Sequence, residues 1–211
     1  GTIIGGRLGF VLFYQPAYYF SNPMEILRIW QGGMAFHGGL LGVIVAGVLF
    51  CRYHKIPMLQ ISDAMALVVP IGLLLGRLAN FINAELWGRP TDVPWGVIFP
   101  GAAAQACGDP CVRHPSQLYQ AGLEGFALFA VLVFVALRLR GFHKPGLIMG
   151  LFVAGYGAAR VIVEGFRQPD AQFITPDNPL GQVFLGLTMG QLLSVPMLLI
   201  GVSLAKWAAR R

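Results

Sequence analysis

Stretches of about 20 mostly apolar residues leave a chain few ways to fold, because that is the length of helix that crosses the hydrocarbon core of a bilayer. Five complete runs of this kind occur, at 34–51, 61–82, 118–137, 146–163 and 190–207. A sixth, 1–14, is too short to span and holds Arg7, so it reads as the outer end of a helix whose start is missing. The chain opens inside this apolar stretch with no Met, no basic leader and no small-residue cleavage site, as expected of a piece lacking its N-terminus. Only 11% of residues are charged, against about 25% in an average soluble domain. Disordered, collagenous and small disulfide-rich classes drop out. The expected fold is all-α, a polytopic transmembrane helical bundle of five complete spans and one truncated span. It forms a single integral-membrane domain over 1–211, with 88–115 polar enough to make a small extramembrane subdomain.

Small residues spaced by four (Gly5/Gly9, Gly38/Gly42, Gly72/Gly76, Gly146/Gly150) offer sites where helix backbones approach closely in lipid. The net charge of +6 would suggest nucleic acid in a soluble protein; here it sets topology. Eight cations (Arg52, Lys55, Arg138, Arg140, Lys144, Lys206, Arg210 and Arg211) fall on alternate connections, with Asp63 the acid near them. That side is the cytoplasmic one. The opposite side collects Glu25, Arg28, Glu85, Arg89, Asp92, Asp109, Arg113, Arg167, Asp170 and Asp177, together with Trp30, Trp87 and Trp95. The segment 23–30 (PMEILRIW) is amphipathic and is expected along the outer interface. Cys107 and Cys111 frame GDP in the outer loop, where an oxidising exterior permits a small disulfide. No His or third Cys stands at metal-ligand spacing, so no metal is expected.

Ionisable groups inside a membrane helix cost roughly 2.5–3.5 kcal/mol each on insertion scales, so each asks for a partner or a purpose. The run GRLANFINAELWG (76–88) sets Arg77 and Asn80 on one helix face, with Glu85 and Gly88 just beyond. In YGAARVIVEGFRQPD (156–170), which opens on Tyr156, Arg160, Glu164 and Arg167 form one polar stripe on an otherwise apolar helix. His37, in FHGGLLG, lies near the outer start of its helix beside two glycines. Three helices thus carry polar groups toward one depth. Taken singly, Arg160–Glu164 reads as an internal ion pair, Arg77 as a cation satisfied by Asn80 and carbonyls, and His37 as a hydrogen-bonded structural residue. Taken together, three guanidiniums with two obvious acids (Glu85 and Glu164) leave a positive site suited to phosphate, because Arg presents a planar fork of donors. Glu124 is a further partner for a cation and receives no chemical role; Arg7 reads as a helix-end partner.

There is no GxSxG, HExxH, P-loop or GxGxxG, which sets aside serine hydrolase, zinc protease and nucleotide-driven pump. No nucleotide or nucleic-acid partner is implied. The rival from another class is a small transporter or channel for an anionic solute, since intramembrane arginines also mark substrate paths.

The run GRLANFINAELWG closely resembles the signature of bacterial prolipoprotein diacylglyceryl transferases. GGRLGFVLFY, GGMAFHGGLLGV, RHPSQLYQA, YGAARVIVEGFRQPDAQF and MGQLLSVPM resemble that family in the same order, so the likeness covers nearly the whole chain. Two departures stand out: Gln120 where a Glu is expected after SQLY, and the Cys107/Cys111 pair in a variable loop. The resemblance implies a seven-helix enzyme of the bacterial inner membrane, with its active site toward the periplasmic side. Its reaction moves the diacylglyceryl group of phosphatidylglycerol to the lipobox cysteine of a prolipoprotein signal peptide and releases glycerol phosphate, without a cofactor. It implies catalytic roles for His37, Arg77 and Arg160. Substrate-binding roles fall on Asn80, Glu85, Gly88, Tyr156, Glu164 and Arg167. The base that takes the thiol proton stays open among His37, Glu85 and Glu164.

Overall fold

A computed structural model describes residues 1–108, 110–169, 174, 178 and 180–211. Asp109, Asp170 and Asp177, assigned above to the outer side, lie outside the described residues. The chain forms two compact units, Gly1–Ile61 and Ser62–Arg211. Five of the described helices are long and apolar enough to cross a membrane, and Thr2–Phe13 is a shorter apolar helix, matching the runs read from the sequence.

The first unit pairs α1 (Thr2–Phe13) with α3 (Phe36–His54). Glycines decide this contact. A Cβ on Gly5 would lie 2.8 Å from Gly42 Cα, and one on Gly9 would lie 2.7 Å from Gly38 Cα, so the two helices meet backbone to backbone. Between them run α2 (Pro16–Ser21) and two short 3-10 turns, Pro23–Leu27 and Ile29–Gln31. The amphipathic segment expected at the interface is therefore two turns rather than one helix, with Met24, Leu27 and Trp30 exposed and Glu25 paired to Arg28.

Arg7 explains why these turns hold. Its guanidinium donates to the carbonyls of Glu25, Ile26, Arg28, Gly32 and Gly33 and lies 5.0 Å from the Tyr19 ring centroid. Five acceptors saturate the donors of one buried arginine. The side chain expected as a helix-end partner is instead the clamp on the whole 25–33 connection.

The second unit is built on α4 (Met58–Ile82, whose first residues close the first unit), α5 (Ser116–Arg138), α6 (Leu147–Glu164) and α7 (Met189–Ala209). Ala66, Leu128, Leu132, Ala136 and Ile148 form its apolar core. Here too small residues set the approach: a Cβ on Gly150 would meet Ala205 Cα at 2.9 Å, and one on Gly157 would meet the Leu198 amide nitrogen at 2.9 Å. Gly72 and Gly76, by contrast, face open space, so that small-residue pair makes no close crossing among the described residues. Asp63, 1% exposed, accepts the backbone N–H groups of Gly146 (2.7 Å) and Met149 (2.8 Å). A carboxylate from α4 thereby caps the N-terminus of α6, where orphan N–H groups and the helix dipole favour a negative charge.

Two small antiparallel pairs, absent from the sequence reading, ornament this unit: β1 (Val97–Ile98) with β2 (Val112–Arg113), and β3 (Gln182–Phe184) with β4 (Leu187–Thr188). The first lies in the 88–115 loop, where Cys107 and Cys111 form a disulfide with Cα atoms 5.6 Å apart. Thr188 then N-caps α7 in a capping box with Gln191.

Candidate active site

Arg77 near the C-terminus of α4, Glu124 in α5, and Tyr156, Arg160 and Glu164 on α6 come together in the second unit, with Arg167 just past the end of α6. Local backbone choices make this possible. Residues Ala121–Ala127 of α5 adopt a π-helical turn, a widening that recurs at functional sites because it re-aims side chains. Gly125 lies in that turn, and a Cβ there would sit 2.8 Å from Leu74 Cα. The missing side chain lets α4 approach at the level of Glu124, and Arg77, three residues beyond Leu74, follows on the same helix face.

Arg77 Nη2 stands 3.7 Å from Glu124 Oε2, and the Tyr156 side chain lies beside it. Arg160 Nη2 lies 3.0 Å from Glu164 Oε2, and Arg167 Nη1 lies 3.9 Å from the same oxygen. Thr188 donates its hydroxyl to Glu164 Oε1 at 3.2 Å, which ties the carboxylate to the start of α7. Glu124 interacts electrostatically with all three arginines and with Glu164, so the group is one cluster rather than separate pairs.

Its hydrogen bonding is incomplete. Among the described residues, Arg160 Nη1, Glu164 Oε2 and both oxygens of Glu124 are buried without a hydrogen-bond partner. The 3.0 Å approach of Arg160 to Glu164 is thus an ion pair off the N–H direction. Unmet donors on a buried guanidinium cost about 1–3 kcal/mol, which an incoming anion would recover. A cavity of about 170 Å³ opens beside them, lined by Arg160, Glu164, Arg167, Thr188, Gly190 and Leu193. Gly190 keeps this space: a Cβ there would lie 2.6 Å from Glu164 Oε1.

The second acid of the cluster is therefore Glu124, read from the sequence as a further partner for a cation, and not Glu85, one of the two obvious acids. Glu85 is exposed on the loop after α4; its carboxylate accepts from Asn80 Nδ2 at 3.4 Å and its carbonyl from the Gln117 side chain. Ala84 and Leu86 on either side both take left-handed φ (55° and 54°), a strained choice for residues with a Cβ. The carboxylate is consequently presented at a fixed position. Gly88 donates its N–H to His114 O at 2.9 Å and its carbonyl accepts from Arg113, while a Cβ would lie 2.6 Å from Phe166 O. This glycine marks a close crossing of the 88–90 segment between 113–114 and 166–167. His37 lies in the other unit, in the first turn of α3, with its side chain exposed.

Several contributors escaped the sequence reading. Arg113, 5% exposed, donates to Ala104 O (2.6 Å), Gly88 O and Gln168 Oε1, and burial lowers its pKa. Trp95 Nε1 donates to Tyr119 Oη at 2.8 Å, leaving the tyrosine hydrogen for His114 Nδ1 at 3.1 Å. Burial holds the His114 pKa below the usual imidazole range, in keeping with a neutral ring that accepts at Nδ1. Gln117 and Gln120 are fully buried, and Thr188 and Gly190 shape the pocket wall. Among the described residues no group of His, Cys, Asp and Glu could hold a metal ion.

Comparison with known proteins places this arrangement. Residues 1–207 match the family model described as prolipoprotein diacylglyceryl transferase. The chain is 62% identical to the phosphatidylglycerol–prolipoprotein diacylglyceryl transferase of Ruegeria pomeroyi over 96% of its own length and 71% of the relative's. The enzyme of the same name from Cereibacter sphaeroides is 58% identical, over 97% and 72% of the two chains. That from Paramagnetospirillum magneticum is 53% identical, over 100% and 74%.

Proposed function

The chain belongs to the prolipoprotein diacylglyceryl transferase family, and on that premise we propose how its residues move a diacylglyceryl group from phosphatidylglycerol to the lipobox cysteine of a prolipoprotein. It is a multi-pass membrane transferase. The observation that carries the assignment of residues is the incompletely satisfied cluster of Arg77, Arg160 and Arg167 around two buried carboxylates, beside a cavity.

The cysteine sulfur attacks the glycerol carbon that bears the phosphate. A C–S bond forms, the C–O bond breaks, and its electron pair goes to the phosphate oxygen, which leaves on glycerol phosphate. Charge on that oxygen grows through the transition state. Arg77 and Arg160, fixed in a low-dielectric site, hold the phosphodiester and stabilise this charge without reorganising. Arg167 guides the headgroup. Tyr156 orients Arg77, and Asn80 and Gly88 order the loop that carries Glu85. Glu164, held by two arginines and Thr188, anchors the fork. His37 takes the thiol proton. A thiol of pKa near 8.5 needs such help at neutral pH.

The cluster sits where α4 and α6 end and α5 and α7 begin, at the other end of these helices from Arg138, Arg140, Lys144, Lys206, Arg210 and Arg211. By the positive-inside rule those residues are cytoplasmic, which supports a site open to the periplasmic side of the inner membrane. The 88–115 loop then lies outside the membrane on that same side. A transporter would place its ionisable groups along a path, whereas these gather in one cluster.

The test uses full-length protein, phosphatidylglycerol vesicles and a lipobox peptide, scored for lipidated peptide and released glycerol phosphate. Arg77→Lys keeps the charge but not the fork, and turnover is expected to fall about 100-fold. His37→Asn should keep lipid affinity, and its deficit should shrink as pH nears the thiol's own pKa. Near-normal turnover of Arg77→Lys would remove the phosphate site from these arginines. A pH-independent loss in His37→Asn would shift the base to Glu85.

A further inference from the structure

Glu124 is the one member of the cluster to which the mechanism gives no task. It is 0% exposed, sits on the π-helical turn of α5, and reaches Arg77 at 3.7 Å without a hydrogen bond to either of its oxygens. A carboxylate kept only to brace the bundle would be saturated, as Asp63 is by two backbone N–H groups. The charge of the cluster adds a second argument. Glu124 and Glu164 offset part of the positive charge of Arg77, Arg160 and Arg167, the groups that would meet a phosphodiester monoanion. The product is a phosphate monoester, which carries more negative charge and would bind more tightly to the same donors. Without Glu124 the cluster would hold one negative charge fewer and grip that product harder still.

We propose that Glu124 is the resident counter-ion of Arg77, a positioning residue that the lipid phosphate displaces from the guanidinium and that afterwards competes with glycerol phosphate to expel it. The proposal rests on the reading that Arg77 binds the phosphodiester. With the site empty, Glu124 holds the Arg77 fork along α5 at partial, non-hydrogen-bonded range. When the diester arrives, Arg77 exchanges a distant ion pair for a bidentate one, and Glu124 remains as a nearby negative charge. That charge weakens the grip on phosphate in every bound state, most of all on the product.

The experiment measures, on the full-length enzyme, kcat, KM for phosphatidylglycerol and the inhibition constant of added glycerol phosphate. Glu124→Gln keeps shape and removes charge. It should lower the inhibition constant about tenfold, lower KM, and reduce kcat through slow product release. Glu124→Asp, which keeps the charge, should return the inhibition constant to within about threefold of the parent enzyme. An unchanged inhibition constant in Glu124→Gln, or weaker binding of both substrate and product, would overturn the proposal and leave Glu124 a brace. If Glu124→Gln does not fold, Glu124→Asp decides alone: product inhibition that tightens tenfold despite the retained charge overturns it. The parent reading fails separately, if Arg77→Gln leaves KM and product inhibition untouched.

Discussion

Intrahelical arginines in the two units of this protein solve the same problem in opposite ways. In the first unit Arg7 is 4% exposed and spends its donors on five backbone carbonyls. In the second, Arg77 and Arg160 lean on carboxylates at 3.7 and 3.0 Å, and Arg160 leaves a terminal nitrogen without a hydrogen bond. A guanidinium whose donors are all used inside the chain has nothing left for a ligand, so it buys structure. One that faces carboxylates loosely holds its charge in place and keeps its donors for an anion. Arg113 follows the first pattern within the second unit, clamping Ala104, Gly88 and Gln168. Donor satisfaction separates the two kinds and goes with burial: Arg7 and Arg113 are 4% and 5% exposed, whereas the side chains of Arg77 and Arg160 are 20% and 15% exposed.

The contrast breaks most sharply by exchanging arginine for lysine in each unit. Arg160→Lys should lower turnover at least 100-fold while the thermal midpoint in detergent stays close to that of the parent enzyme. Arg7→Lys should do the reverse: a loss of about 3 kcal/mol of stability as several carbonyls lose their donors, with KM for phosphatidylglycerol retained by the folded fraction. If both substitutions cost mainly stability, or both mainly turnover, the division between them is wrong.

A smaller effect sharpens the role of Asp63, the saturated acid set against the unsaturated Glu124. Asp63→Asn keeps one acceptor but removes the charge at the N-terminus of α6, and should destabilise by about 2 kcal/mol with the inhibition constant for glycerol phosphate unchanged. Equilibrium unfolding and product inhibition measured on one preparation check both halves.

The smallest effect concerns His114. Its folded-state pKa lies below the ordinary value near 6.5, so the unfolded chain binds the proton more readily. The stability this ring contributes is complete above that ordinary value and declines as pH falls through it. His114→Phe should flatten the loss of thermal midpoint between about pH 7 and about pH 5 by a few degrees. A mutant with unaltered acid sensitivity would show that other groups carry it.

How much of this was legible in the sequence depends on range. The five spans followed from apolar length alone, and Gly5/Gly9 with Gly38/Gly42 marked a helix contact because only glycine permits backbones to touch. Gly72/Gly76 had the same spacing and no such contact, since spacing says which face is smooth but not what meets it. Of the polar stripe, Arg160 and Glu164 were readable because one helix fixes their geometry, whereas Arg167 falls just past its end. The sequence marked Glu124 as a partner for some cation but did not reveal that it answers Arg77, because that pairing depends on a widened turn in α5 and on the absent Cβ of Gly125 against Leu74.

By itself, then, the sequence determined everything governed by length, period and composition: a helical membrane protein, the alternation of its basic connections, and a run of residues specific enough to point to one family of transferases. Tertiary structure alone decided which charges are spent and which are kept. Donor satisfaction is set by angles and tenths of an ångström between segments far apart in the chain, and a linear pattern carries no record of where a carbonyl from another turn will stand. That is why Arg7 and Arg160, alike as letters within apolar helices, differ in kind.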